Sequence, residues 1–438
     1  PGFHAPNPYL RRDIAPIREA LMLRRRRLSS GVRLGPPLPL RLLNTLGPLV
    51  RSLGLWPRID VERQMRATER KYKRNNWTPE LRRALPPRAE GFNSSDADLS
   101  LFGALAIRGQ FLKSMDNAMA LEDLIARHPE ILDEQIRRPL FVLGLARTGT
   151  TLLQRLLSLH SGARFLPFWE GYTPYPREVG NHQGGKDGRY REAKSRLALL
   201  NFVGPEFNKI HPIEIDDPEE CYHLFRNHFL VPPGFDFANV PSFWRWWNDS
   251  AHADAYRMHK RQLQALQWLN PNQHWVLKCP NHLSGLKHLM ETYPDARIVY
   301  TQRDPLKTVP SLCSLAAVTW CMTSDTVDLH NVGEFALDLA DRCAAAGRAA
   351  MQVVPRDQIV HVEYDDLVRD PAAMAMSIYE RLGYSTDSAL KARMTQWLAD
   401  HPSDKHGKHS YALEDFGLTP EIIRKRLAVP PLRTVAGA

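Results

Sequence analysis

The sequence predicts an α/β protein: a three-layer sandwich with a central parallel sheet flanked by helices, and a mainly helical N-terminal extension. Three observations carry this. Short apolar runs of strand length recur from residue 140 onward, segments with helical spacing lie between them, and the first run passes through a glycine-bearing turn directly into a helical pattern. Alternating strands and helices build parallel sheets, because the crossover helices cover both faces.

The elements follow in chain order. Residues 1–60 mix basic and apolar segments broken by Gly35-Pro36-Pro37 and Pro57. Residues 61–85 carry Glu62, Arg66, Glu69, Arg70 and Arg74 at helical spacings, and Pro86-Pro87 is expected to end that segment. Over 98–128, Leu101, Leu105, Phe111, Leu112, Met115, Met119 and Leu124 mark the buried side of one or two helices. Leu140–Leu143 is then a short apolar run suited to a strand covered on both faces. Gly144 to Thr151 form the turn, and Leu152, Leu153, Leu156, Leu157 and Leu159 resume a helical rhythm. Further strands are predicted at 275–277, 297–301 and 358–362, with helices at 282–292 and 333–352. The expected division is an extension over 1–100 and a main domain over 101–438.

Composition narrows the function. Residues 1–90 hold 20 Lys+Arg against 7 Asp+Glu, while the whole chain carries +10. The basic excess therefore belongs to the N-terminal arm, including Arg24-Arg25-Arg26-Arg27. Such an arm suits an anionic membrane surface, an acidic partner or a solvated helix face. No nucleic-acid motif accompanies the charge, so no nucleic-acid partner is expected. Pro1 to Tyr9 lack the apolar core of a signal peptide, and no apolar run reaches the length of a membrane span. Five cysteines without a C-x-x-C pair suggest reduced thiols in a cytoplasmic protein, membrane-associated only through the arm.

Gly144-Leu145-Ala146-Arg147-Thr148-Gly149-Thr150-Thr151 has the glycine spacing of a P-loop, G-x-x-x-x-G-K-[ST]. Consecutive backbone N–H groups at a helix N-terminus make a nest for an anion. Position 150 is Thr where nucleotide hydrolysis needs Lys, and the positive charge has moved to Arg147. No acidic partner for magnesium is evident. A second anion site is visible where the strand 297–301 runs into Gln302-Arg303-Asp304-Pro305, with Ser311 eight residues after Arg303. An Arg at a strand end can grip phosphate with two donors.

Together these segments resemble the nucleotide sites of sulfotransferases that use 3′-phosphoadenosine 5′-phosphosulfate (PAPS), on a P-loop-type fold. The loop is closest to that of bacterial sulfotransferase-family proteins and tyrosylprotein sulfotransferases, over roughly residues 105–418. The resemblance implies that Arg147, Thr148, Gly149, Thr150 and Thr151 hold the 5′-phosphosulfate, and that Arg303 and Ser311 hold the 3′-phosphate. Residues 403–418 resemble the C-terminal signature of bacterial members, which implies contact of Lys405 and Gly407 with the same phosphate. It also implies sulfonate transfer to an acceptor hydroxyl, release of adenosine 3′,5′-bisphosphate, and no metal.

Lys278 ends the predicted strand Trp275-Val276-Leu277 and resembles the family lysine that reaches the sulfonate. A buried lysine needs a compensating anion. Two residues compete as the base. Glu170 follows Phe168 and Trp169, whose apolar rings would raise its pKa, and tyrosylprotein sulfotransferases use a Glu at a comparable place. His282 has a pKa already suited to the role. His211 and the acids Asp216, Asp217, Glu219 and Glu220 are a third option, or a substrate-side rim. The acceptor pocket is expected from 165–176 and 202–247, where Phe225, Phe229, Phe235, Phe237, Phe243, Trp244, Trp246 and Trp247 either line a site or fill a core. With the basic arm, this suits a small-molecule or lipid-like acceptor. The first hundred residues are open to dimerisation (a homodimer), membrane contact or acceptor choice. Two rival readings stay in view: a P-loop kinase or NTPase, which magnesium-dependent ATP turnover would support, and a non-catalytic nucleotide-binding scaffold, which binding without transfer would support.

Overall fold

The computed structural model describes residues 27–176, 178–179, 187–232, 237–401 and 412–427. Five strands form one sheet: β1 (Leu140–Gly144), β2 (Ala163–Arg164), β3 (His274–Lys278), β4 (Arg297–Gln302) and β5 (Ile359–Glu363). Their order is β2-β3-β1-β4-β5 and every pairing is parallel. The four strands expected from apolar runs are present, and the two-residue edge strand β2 is an addition. β1 lies at the centre and is buried at every position, as its unbroken apolar run requires.

Side chains alternate across the sheet and so feed two cores. Leu140 and Val142 join Val276, Val299 and Val360 on one face. Phe141 and Leu143 join Leu277 and Ile298 on the other. The second core extends without interruption into the N-terminal helices: Met65, Leu81, Leu85 and Phe92 belong to it.

Those helices are α1 (Leu38–Asn44), α2 (Gly47–Ser52), α3 (Val61–Tyr72), α4 (Pro79–Asn93) and α5 (Leu101–Arg127). Side chains of Asp60, Thr78 and Ser100 cap the last three by accepting from backbone N–H groups of the first turn. The expectation at 98–128 resolves as one continuous helix of 27 residues. The expected stop at Pro86-Pro87 does not occur, because α4 continues to Asn93 with both prolines inside it. Interior prolines cost a helix about 3 kcal/mol or more. Burial outweighs that here: Leu81, Ala84 and Leu85 are fully buried, and the Arg88 guanidinium sits between the rings of Phe92 and Phe243, 4.4 Å from each.

After β1 come α6 (Thr150–Leu157), α7 (Phe168–Tyr172), α8 (Gly188–Val203), α9 (Pro205–Ile210), α10 (Tyr222–Asn227), α11 (Pro241–Ser250) and α12 (His252–Leu269). α6 packs Leu153, Leu156 and Leu157 against the first face. The segment expected as a helix over 282–292 opens with a 3₁₀ turn at Pro280–Leu283 before α13 (Leu286–Thr292). α14 (Pro305–Cys321) follows β4, and α15 (Leu329–Ala350) precedes β5. The chain leaves β1 toward β2, on the β3 side, and leaves β4 toward β5, so the crevice between the ends of β1 and β4 is the switch point where ligands bind in such sheets.

Candidate active site

The glycine-bearing loop sits at that switch point. Gly149 has φ +88° and Arg147 has φ +70°, both left-handed, which turns the intervening amides inward at the N-terminus of α6. At the φ of Gly149 any larger residue is strained, and its Cβ would lie 2.6 Å from Leu367 Cδ2 and push that side chain aside. Thr148 is buried; its hydroxyl donates to the Leu145 carbonyl at 2.6 Å and stands 2.6 Å from the Thr301 hydroxyl at the end of β4. The loop is thus fastened across the switch point. It fits an anion: backbone donors, a helix N-terminus and an exposed Arg147 converge there.

Arg303 joins the same edge. Its Nη1 donates to the Arg147 carbonyl at 3.0 Å, and its guanidinium stacks 3.8 Å above the Tyr364 ring. Ser311 lies on α14 and is buried. Thr150 and Thr151 open α6, Thr150 buried and Thr151 half-buried. Fold topology therefore brings the first predicted anion loop and Arg303 together. Lys405 and Gly407 lie outside the described residues.

Lys278, at the end of β3, is 2 % exposed, and its ammonium donates to Glu220 Oε1 at 2.6 Å. Glu220 is held there by its neighbours. The Cys221 N–H donates to the Lys278 carbonyl at 2.9 Å, and the Glu219 N–H donates to the Leu166 carbonyl at 2.7 Å. Glu219 stands 3.7 Å from His211 Nε2 and 3.8 Å from His223 Nε2. Burial alone would raise its carboxyl, but the two imidazoles hold it well below the usual carboxylate range. Burial and the Arg226 charge push His223 down, so it is neutral near pH 7.

Glu219, Glu220, His211 and His223 form the polar end of a cavity of about 450 Å³. Its walls are mostly apolar, with Phe102 and Leu105 of α5, Phe168 of α7, Leu199 of α8, Phe207 of α9 and Leu315 of α14, and Arg196 and Arg226 line it as well. Arg147 reaches the same end, since its Nη1 donates to the carbonyl of Ile210 beside His211. The aromatic-rich segment 202–247 divides: Phe207 and Phe237 line the cavity, whereas Phe225, Phe229, Phe243, Trp244 and Trp247 are core. Phe235 lies outside the described residues. The contributions of α5, α8 and α14 had no sequence signal beyond helical periodicity.

The two expected bases are placed elsewhere. Phe168 and Tyr172 face the cavity, one helical turn apart on α7, so Glu170 between them points the other way. There Arg164 Nη2 donates to it at 2.7 Å, and both side chains are 8 % exposed. His282 is fully buried among Phe141, Phe225 and Tyr256, with its Nδ1 2.9 Å from the Tyr256 hydroxyl. Burial, with His259 nearby, pushes its pKa well below the usual imidazole value.

Among the described residues, one group could hold a metal: Cys221, His259 and His282 bring ligand atoms within 4.8 Å of one another. Their separation in sequence hid the grouping. All three are fully buried, and none lines the cavity. The five cysteines are free and buried.

Comparison with known proteins agrees with this geometry. The profile described as Sulfotransferase family matches residues 139–388. Omega-hydroxy-beta-dihydromenaquinone-9 sulfotransferase Stf3 of Mycobacterium bovis is 24% identical over 345 residues, covering 72% of this chain and 81% of that protein. Two solved structures superpose closely. Sulfotransferase STF1 of Mycobacterium tuberculosis H37Rv has a TM-score of 0.73 and 28% identity, over 85% of this chain and 99% of that one. Sulfotransferase STF9 of Mycobacterium avium has a TM-score of 0.72 and 26% identity, over 84% and 95%. A match that spans more than half the chain and begins at the strand feeding the anion loop, on a fold shared with both solved enzymes, means that the chain belongs to the sulfotransferase family.

Proposed function

We propose that the chain transfers a sulfonate group from PAPS to a hydroxyl of a lipid-like acceptor and releases adenosine 3′,5′-bisphosphate. The observation that carries this is the cavity: a chamber of about 450 Å³ with largely apolar walls, lined also by Glu220, whose carboxylate holds Lys278. A relative named for action on a hydroxylated menaquinone is consistent with an acceptor that is apolar except at its hydroxyl.

In the reaction, the acceptor oxygen forms a bond to sulfur as the bond from sulfur to the bridging phosphate oxygen breaks. Arg147 and the amides of 148–151 neutralise the anion at the loop, and Arg303 with Ser311 holds the 3′-phosphate. Lys278 supplies a cation beside the sulfonate. Glu220 is the base: its carboxylate lines the cavity and takes the hydroxyl proton. Glu219 is too acidic for that role, so it orients His211 and His223 instead. Glu170 braces α7 through Arg164.

Calorimetric titration with adenosine 3′,5′-bisphosphate, beside ADP and AMP, tests the donor assignment. Micromolar binding selective for the 3′-phosphate and lost in Arg303→Ala is the expected result. Equal binding of all three nucleotides would overturn it in favour of a general P-loop protein.

A further inference from the structure

The N-terminal helices carry an apolar face that nothing among the described residues covers. Leu38 and Leu42 are one turn apart on α1, and Leu46, Leu49 and Leu53 repeat at helical spacing along the joint with α2 and its end. Their exposures run from 49% to 62%, and Leu55 reaches 69%. A solvent-facing row of six leucines is unusual for a soluble surface, where apolar residues are scattered singly. Charge says what meets it. Residues 20–59 contain eight arginines and no Asp or Glu. Arg33, Arg51 and Arg58 are exposed, and Arg51 stacks 3.3 Å above the half-buried Trp56. Leucines flanked by arginines with an indole between them match the interface of an anionic bilayer: acyl chains below, phosphates above, aromatic rings at the boundary.

The position of this face matters as much as its chemistry. Asn44 of α1 accepts from the backbone N–H of Phe102, and Gly47 of α2 packs near Leu101. Phe102 is itself a wall of the cavity. Pro37, at the start of α1, shares a small cleft with Gly204 and Pro205 between α8 and α9, and Met322 borders both this cleft and the cavity. Leu105 and Leu199 line the cavity and are still 46% and 44% exposed, and neighbouring Phe202 is 52% exposed. The leucine row thus sits on elements that touch the cavity wall, and the rim there is itself apolar and exposed.

We propose that α1 and α2 are a membrane-docking segment that seats the protein on anionic phospholipid, with the cavity rim at the lipid surface so that the acceptor enters from the bilayer. The second half of this statement rests on the lipid-like acceptor proposed above; the docking itself does not. It describes a protein lying on a membrane, and no described helix is long and apolar enough to cross one.

Full-length protein is floated with vesicles of phosphatidylglycerol and phosphatidylcholine, or of phosphatidylcholine alone. Wild type and the variant Leu42→Ser/Leu46→Ser/Leu49→Ser are compared, with binding of adenosine 3′,5′-bisphosphate as the check that the variant is folded. Expected are binding to the anionic vesicles that weakens as salt screens the arginines, and a partition coefficient at least tenfold lower in the variant with nucleotide binding unchanged. Absence of binding to anionic vesicles overturns the proposal, as does binding that the leucine substitutions leave intact. A wild-type dimer that the substitutions convert to monomer also overturns it, by assigning the face to a second copy. The acceptor route is read separately. If the variant binds no vesicles yet sulfonates a water-soluble hydroxylated isoprenoid as fast as wild type, docking and chemistry are distinct functions of one chain. If neither protein sulfonates any isoprenoid while the docking difference persists, the acceptor assignment fails alone.

Discussion

Glu220 and Glu170 are both buried carboxylates in ion pairs, and they differ in what stands on their open side. Glu220 shares its Lys278 contact with a cavity, whereas Glu170 has Arg164 and packed chain around it. A group that takes a proton in the reaction needs access to substrate, so the two substitutions should separate. Glu220→Gln is expected to lower kcat by about 10²–10⁴-fold with nucleotide affinity preserved. Glu170→Gln is expected to leave kcat within a few-fold while lowering unfolding free energy by about 1–3 kcal/mol, since it deprives the buried Arg164 of its anion. Parallel steady-state kinetics and urea denaturation of both variants decide it, and a loss of turnover confined to Glu170→Gln would reverse the assignment. The sequence named Glu170 because its spacing after the loop resembled the family's. It had no means to show that the segment is helical, and helical geometry turns alternate residues apart.

The elements that were legible are those whose information is local. β1 and β3 announce themselves as apolar runs because strands covered on both faces show no polar side, while β4 and the edge strand β5 show paired or alternating apolar residues instead. The glycine-bearing turn is likewise contiguous, so its place between β1 and α6 was readable as a unit. α4 was misread for the opposite reason: two prolines are a strong local signal, and only tertiary burial overrides them. Pro86→Ala should therefore stabilise the protein by restoring a backbone donor to the Arg82 carbonyl, by about 1 kcal/mol after the unfolded chain regains freedom. A shift of the urea midpoint to higher concentration at constant slope is the expected observation, and a downward shift would mean that the proline ring fills a contact α4 needs. The cavity was only partly legible, because α5, α8 and α14 reach it from outside the segments 165–176 and 202–247 where it was expected.

At the scale of the whole molecule, the core contains imidazoles that must stay neutral. Burial lowers His228 and His259 to about 3, burial with His160 and Arg138 lowers His274 to about 4, and His282 is well below its ordinary value. Each folded value lies under the unfolded one of about 6.5, so below that pH the unfolded chain binds protons that the folded chain refuses. Stability is thus full above pH 6.5 and declines as the medium is acidified toward the folded values, by about 1.4 kcal/mol per unit for each group. Denaturation between pH 7.5 and 5 should show this fall, and His228→Leu, which removes a fully buried ring, should make it shallower. An unchanged slope would place the acid sensitivity elsewhere.

The hydroxyl contact between Thr148 and Thr301 has a mechanical meaning beyond its hydrogen bond. β1 and β4 are adjacent strands in the middle of a sheet, held about 4.8 Å apart by their ladder. A side-chain clasp where they end couples the two loops, and the Arg303 link to the Arg147 carbonyl ties them a second time. The loops resemble the jaws of a caliper held at one setting. Any ligand that grips both is chosen by the span between its anionic groups, and a ligand with a single anion fills one jaw and leaves the other shut on nothing.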